Sequence, residues 1–168
     1  SVIAGAELPY FYRKIDLSVK VYRQDFKLTR LSGGKETSFR LFCMADPQCR
    51  NEKSLARFQD ETIPDLEQTA KSFRDAGEVV YGITLGDITD NNKTSIWEAM
   101  KKSMASISGS VPFFQTIGNH DHLNETDNNV TTTYWKSIEN FQKYFGPQNY
   151  SFNRGDVHII SMDNVLHG

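Results

Sequence analysis

Three short apolar runs, FRLFCMAD (residues 39–46), EVVYGITLGD (78–87) and VPFFQTIGN (111–119), alternate with stretches of helical periodicity. This alternation constrains the fold more than any other feature. A strand fed by a helical crossover returns parallel to its predecessor, so strand–helix–strand–helix–strand predicts an α/β fold with a mostly parallel sheet flanked by helices. The first run, apolar almost throughout, reads as a strand buried on both faces. The first helix is expected over 63–77, where Pro64 suits the first turn, Leu66, Ala70 and Phe73 share a face, and Gly77 stops it. The second is expected over 95–108, opened by a Ser95/Glu98 capping box with Ile96, Met100 and Met104 on one side. The third runs over 132–147, with Ile138, Phe141 and Phe145 aligned and Gly146-Pro147 as its stop. YSFNRGDVHIISMDN (150–164) reads as two strands joined by a turn at Asn153 to Asp156. Residues 8–38, aromatic-rich and ending at Gly33-Gly34, suit short strands or an extended arm.

At 168 residues the chain has room for one domain with a sizeable core. A formal net charge of −2 with scattered basic residues gives no basis for nucleic-acid binding. No apolar run reaches the ~20 residues of a membrane span. Cys43 lies in an apolar run and is expected in the core, whereas Cys49 falls in a polar loop; nothing else suggests a disulfide framework. The first residues, SVIAGAELPYF, lack the pattern of a signal peptide, and a start at Ser1 reads as a processed or excised piece. The sequons at Asn92, Asn124, Asn129 and Asn149 read as an Asn/Thr-rich surface. The compartment is not legible.

Ligands of open α/β sheets gather beyond the carboxyl ends of the strands, and polar clusters stand there after each apolar run. The first run closes on Asp46-Pro47-Gln48. Proline favours extended geometry in the residue before it, so Asp46 and Gln48 are expected to point the same way and offer two oxygens to one ion. The second closes on LGDITD: Gly86 admits a close neighbour, Asp87 projects a carboxylate, and Asp90 suits a turn or cap. The third closes on IGNHD, with the Asn119 amide, the His120 imidazole and Asp121, a carboxylate able to orient that ring. Turn chemistry explains polar residues at one strand end. It does not explain hard oxygen donors at three in succession with one histidine.

ADPQ, GDITD and GNHD, in that order with helices between, resemble the first three signatures of the calcineurin-like (purple acid phosphatase-like) metallophosphoesterases. The resemblance spans about residues 39–165. It implies the first half of an αββα sandwich, with 39–168 a C-terminally incomplete catalytic domain and 1–38 an arm or the remnant of a preceding β-domain. It also implies a dinuclear site: Asp46 and Gln48 on the first ion, Asp87 bridging both, and Asn119 on the second. His120 would then protonate or steady the leaving group, with Asp121 behind it; His122, by its place in the polar loop beside the site, is a candidate to touch substrate or metal. Two ions ~3.5–4 Å apart clamp a phosphate ester and acidify a water for in-line attack. The implied activity is hydrolysis of a phosphomonoester, phosphodiester or diphosphate. Gln48 stands where the family carries histidine, and its amide oxygen favours Mn²⁺ or Mg²⁺, with Fe or Zn also admitted.

Family members supply further histidine ligands from a C-terminal half, ending in Gly-His-x-His. Neither His158, on a strand, nor His167, in the tail, has that spacing. Weak metal binding and little turnover are therefore expected of these residues alone. A multidomain bacterial parent would be periplasmic or secreted. The alternative is a non-catalytic scaffold of the same fold. It gains from Gln48 and loses from the retention of Asp46, Asp87, Asn119, His120 and Asp121. A nucleophilic hydrolase has no support: no Gly-x-Ser-x-Gly elbow is present.

Overall fold

The computed structural model describes residues 12, 15–25, 34–90, 93–108, 111–122 and 130–165. Three strands, β1 (Arg40–Met44), β2 (Val80–Thr84) and β3 (Phe113–Phe114), form a parallel sheet in the order β1-β2-β3. Among the described residues four α-helices accompany it: α1 (Glu52–Arg57), α2 (Ile63–Asp75), α3 (Thr94–Ser108) and α4 (Val130–Phe145). Strands β4 (Tyr150–Arg154) and β5 (Val157–Ser161) form a separate antiparallel hairpin. The chain is thus mixed α/β with a parallel sheet, as the alternation predicts. Among the described residues no helix is long and apolar enough to cross a membrane.

Register divides the sheet into two faces. Phe42, Gly82 and Phe113 lie abreast, as do Cys43, Ile83 and Phe114. Phe42 and Phe113 pack with Leu66 and Ala70 of α2, Trp97, Met100 and Met104 of α3, and Phe141 and Phe145 of α4. Gly82 is required here, because a Cβ on it would lie 2.0 Å from the Phe113 ring. On the opposite face Phe114 stacks on Phe152 of the hairpin at 4.1 Å. The buried Arg154–Glu36 pair at 2.6 Å ties residues just before β1 to the same hairpin.

Two local expectations are corrected. Strand β1 is not buried on both faces: it is an edge strand of the described sheet, and Arg40, Leu41 and Cys43 are exposed. Helix α2 opens at Ile63 as expected, with Pro64 in its first turn, but an unexpected helix, α1, precedes it from Glu52. An Asn51/Ser54 capping box opens α1, and a π-helical turn, Phe58–Thr62, joins it to α2. Pro64 explains that turn, since proline lacks an N–H and its ring crowds the carbonyl four residues back. Helix α3 opens at Thr94, so Ser95 lies inside its first turn rather than at its cap. The stops at Gly77 (φ 80) and Gly146 (φ 103) fall where expected.

The cysteines exchange places. Cys43 is exposed and Cys49 is buried, both with free thiols. Burial pushes the Cys49 thiol up to about 11, doubly disfavouring reaction because the thiolate is the nucleophile. A maleimide reagent should therefore label Cys43 alone in the native protein and Cys49 only after denaturation. Equal native labelling of both would contradict this packing.

Candidate functional site

Beyond β1 and β2 the two chains continue side by side. The Leu85 N–H donates to the Met44 carbonyl (2.9 Å), the Gln48 N–H to the Asp87 carbonyl (2.8 Å), and the Asp90 N–H to the Cys49 carbonyl (3.2 Å). Holding this pairing through the strand ends forces unusual backbone. Asp46 (φ 47), Gln48 (φ 40) and Asp87 (φ 49) all occupy the left-handed region. The expectation that Asp46-Pro47-Gln48 stays extended is therefore wrong: continued pairing with the second strand end outweighs the pre-proline preference. Non-glycine residues in sparsely populated regions cost roughly 1–3 kcal/mol each and cluster at functional sites. Here three of the four expected metal ligands carry that cost.

The second and third strand ends meet through two glycines. A Cβ on Gly86 (φ 105) would stand 3.0 Å from the Gly118 Cα, and one on Gly118 would stand 2.2 Å from both the Asp87 nitrogen and its Oδ1. Bare backbone at both positions seats Asp87 against the third strand end. Its carboxylate is buried and accepts from Gln48 Nε2 at 3.3 Å and from the His120 N–H at 2.9 Å. One carboxylate thus links all three strand ends.

Asp121 does not hold the His120 ring. It is fully buried and latches backbone instead: Oδ2 accepts from the N–H groups of Ile88 (3.1 Å) and Gly118 (2.9 Å), and Oδ1 from the Thr89 N–H (2.9 Å) and hydroxyl (3.2 Å). The ring faces Asp90, with Nδ1 3.3 Å from the Asp90 carbonyl oxygen and 3.4 Å from Oδ1. Asp90, read from sequence as a turn residue, is the group that sequence reasoning missed. Its signal was the GDITD spacing, which returns a second carboxylate three residues after the first.

His122, expected near substrate, is buried against α4 and the segment just past β5. Its Nε2 lies 3.3 Å from Asp163 Oδ1, and its ring stacks on Tyr134 at 5.0 Å. His158 is exposed, with Nδ1 2.7 Å from Asn153 Oδ1. His167 and the sequons at Asn92, Asn124 and Asn129 lie outside the described residues. Asn149 is exposed, and its Oδ1 accepts from the Asp163 N–H at 2.7 Å. Asp46 and Asn119 are exposed at their strand ends and make no hydrogen bond to Asp87 among the described residues. No three His, Cys, Asp or Glu side chains group to hold a metal among the described residues. The oxygen donors at the strand ends are two carboxylates, Asp46 and Asp87, and two amides, Gln48 and Asn119.

Burial, reinforced by the charge of Asp87, pushes the Asp121 carboxyl up to about 6 from its ordinary 3.8, against the pull of its backbone N–H donors. The folded chain therefore holds this proton more tightly than the unfolded chain. The contribution is fully stabilising below about pH 4 and is lost as pH rises through about 6. In buffer free of divalent ions, the Asp121 carboxyl carbon should titrate near pH 6, with its share of urea stability declining over the same interval. A midpoint at or below 4 would contradict this environment.

Compared with protein-family models and with curated proteins, the chain matches none.

Proposed function

We propose that these strand ends form part of a metal-dependent phosphoesterase site, within the first half of a metallophosphoesterase sandwich. The observation that carries the reading is the Asp87 carboxylate, buried and shared between Gln48 and the His120 backbone. A second buried carboxylate, Asp121, lies near enough to feel its charge, and neither forms an ion pair among the described residues. Buried anions without a counter-charge call for a cation. The donor set fits a hard divalent ion, and a half-turn of the Gln48 amide exchanges its nitrogen for oxygen at the same place.

Asp46, Gln48, Asp87 and Asn119 would hold two such ions, Mn²⁺ or Mg²⁺ by donor type, with Asp87 shared. Bound there, divalent ions neutralise phosphate charge and acidify a water. The chain's own residues supply the rest. His120, a third exposed beside the buried carboxylates, would donate a proton from its ring to the departing oxygen. Asp90 holds that ring at Nδ1, which leaves Nε2 to face the ester. Asp121 fixes the loops after the second and third strands so that Asp87 and His120 keep their separation.

Elemental analysis after equilibration with Mn²⁺, read beside hydrolysis of p-nitrophenyl phosphate, tests the reading. Metal retained by the native protein and lost in Asp87→Ala supports it; retention unaffected by that substitution contradicts it. Metal retained without turnover in the full natural protein would favour the scaffold alternative.

A further inference from the structure

A cleft of ≈ 290 Å³ opens beside Asp46, between the end of β1 and the turn joining α1 to α2. Met44 and the buried Phe58 supply apolar surface to it, while Arg57, Glu61 and Thr62 bring polar groups. The widened turn imposed by Pro64 forms this wall, with the Ile63 N–H reaching back to the Phe58 carbonyl. Arg57 Nη2 and Glu61 Oε2 stand 3.2 Å apart, both side chains mostly exposed. The Thr62 hydroxyl makes no capping bond.

We infer that this cleft is the subsite for the alcohol half of the ester and takes a neutral, polyhydroxylated, sugar-like group; the inference rests on the phosphoesterase reading. With Asp46 engaged by the ion, Arg57 and Glu61 balance each other across the cleft, which leaves no surplus positive charge for a second phosphate. An apolar group would leave the charged wall unused. A guanidinium beside a carboxylate offers donors and acceptors side by side, which matches adjacent hydroxyls that each donate and accept. The volume lies at the low end of the ~300–1,000 Å³ typical of ligand pockets and is ample for one sugar ring.

Amide chemical shifts of the whole chain in Mg²⁺, titrated with α-D-glucose 1-phosphate and separately with methyl phosphate, test the assignment. Both probes should move Asp87 and Asn119, and only the sugar phosphate should also move Arg57, Glu61 and Thr62. Arg57→Ala should weaken the sugar phosphate about 5–10-fold, the loss of one ordinary hydrogen bond from a mostly exposed side chain, and leave methyl phosphate unchanged. If methyl phosphate moves the strand ends while the sugar phosphate leaves 57–62 still, or if Arg57→Ala has no effect, the subsite is overturned and the phosphoesterase reading stands. If neither probe moves the strand ends, that reading fails and the subsite with it.

Discussion

Asp87→Asn should remove Mn²⁺ binding while leaving the metal-free protein at least as stable as before. The two halves of this result have one cause. Asp87 is a buried carboxylate within the field of a second, Asp121, which the fold tolerates at an energetic cost. Asparagine keeps the shape and the Oδ1 acceptor for the His120 N–H, and it deletes the repulsion. Stability without metal should therefore hold or rise by up to about 1 kcal/mol. Affinity for Mn²⁺ should fall by more than ~100-fold, since losing even the groups behind a metal ligand costs about 10–100-fold. Calorimetric titration beside thermal melts reads both. A variant that binds Mn²⁺ normally but melts earlier would make Asp87 a structural residue.

Gly118→Ala should damage fold and site together. The added methyl would stand 2.2 Å from the Asp87 nitrogen and 2.2 Å from its Oδ1, closer than real Cβ contacts allow. Backbone has to move, because one of those neighbours is main chain. The methyl cannot retreat toward the second strand end either, where Gly86 already passes close. Overpacking of this kind costs about 1–3 kcal/mol. The displaced group is the carboxylate on which three strand ends converge, so Mn²⁺ binding should fall with the urea midpoint. Wild-type stability and affinity in this variant would show that the glycine contact is not tight.

The convergence of the polar strand ends was legible because it follows from topology: residues after successive parallel strands share one end of the sheet. Gly86 illustrates this, since its role in a close approach was readable although its neighbour, Gly118, was not. What escaped the sequence was non-local. RLFCM reads as a doubly buried strand by composition, yet on the face that carries Cys43 the hairpin packs on Phe114 of β3, and Cys43 of β1 is left exposed. Cys49 reads as a loop residue, but the bridge between Cys49 and Thr89 draws it inside. Asp46 and Gln48 were misread because a local preference was set against pairing between strand ends that sequence does not display. Asp121 and Asp90 exchanged roles for a similar reason. Adjacency to His120 suggested Asp121, but the backbone donors of Ile88, Thr89 and Gly118 claim that carboxylate, and Asp90 arrives from another strand end. Helix α1 was missed because EKSLAR carries a single large apolar residue, although Asn51 and Ser54 announced its start.

Paramagnetic broadening of amide signals by substoichiometric Mn²⁺ measures most directly whether the strand ends form one cation site. Signals from Asp46, Gln48, Asp87, Asn119 and His120 should vanish first and together, and those of α2 and the β4–β5 hairpin should persist. Broadening spread over surface carboxylates such as Asp65 and Asp75, with the strand ends sharp, would contradict the account.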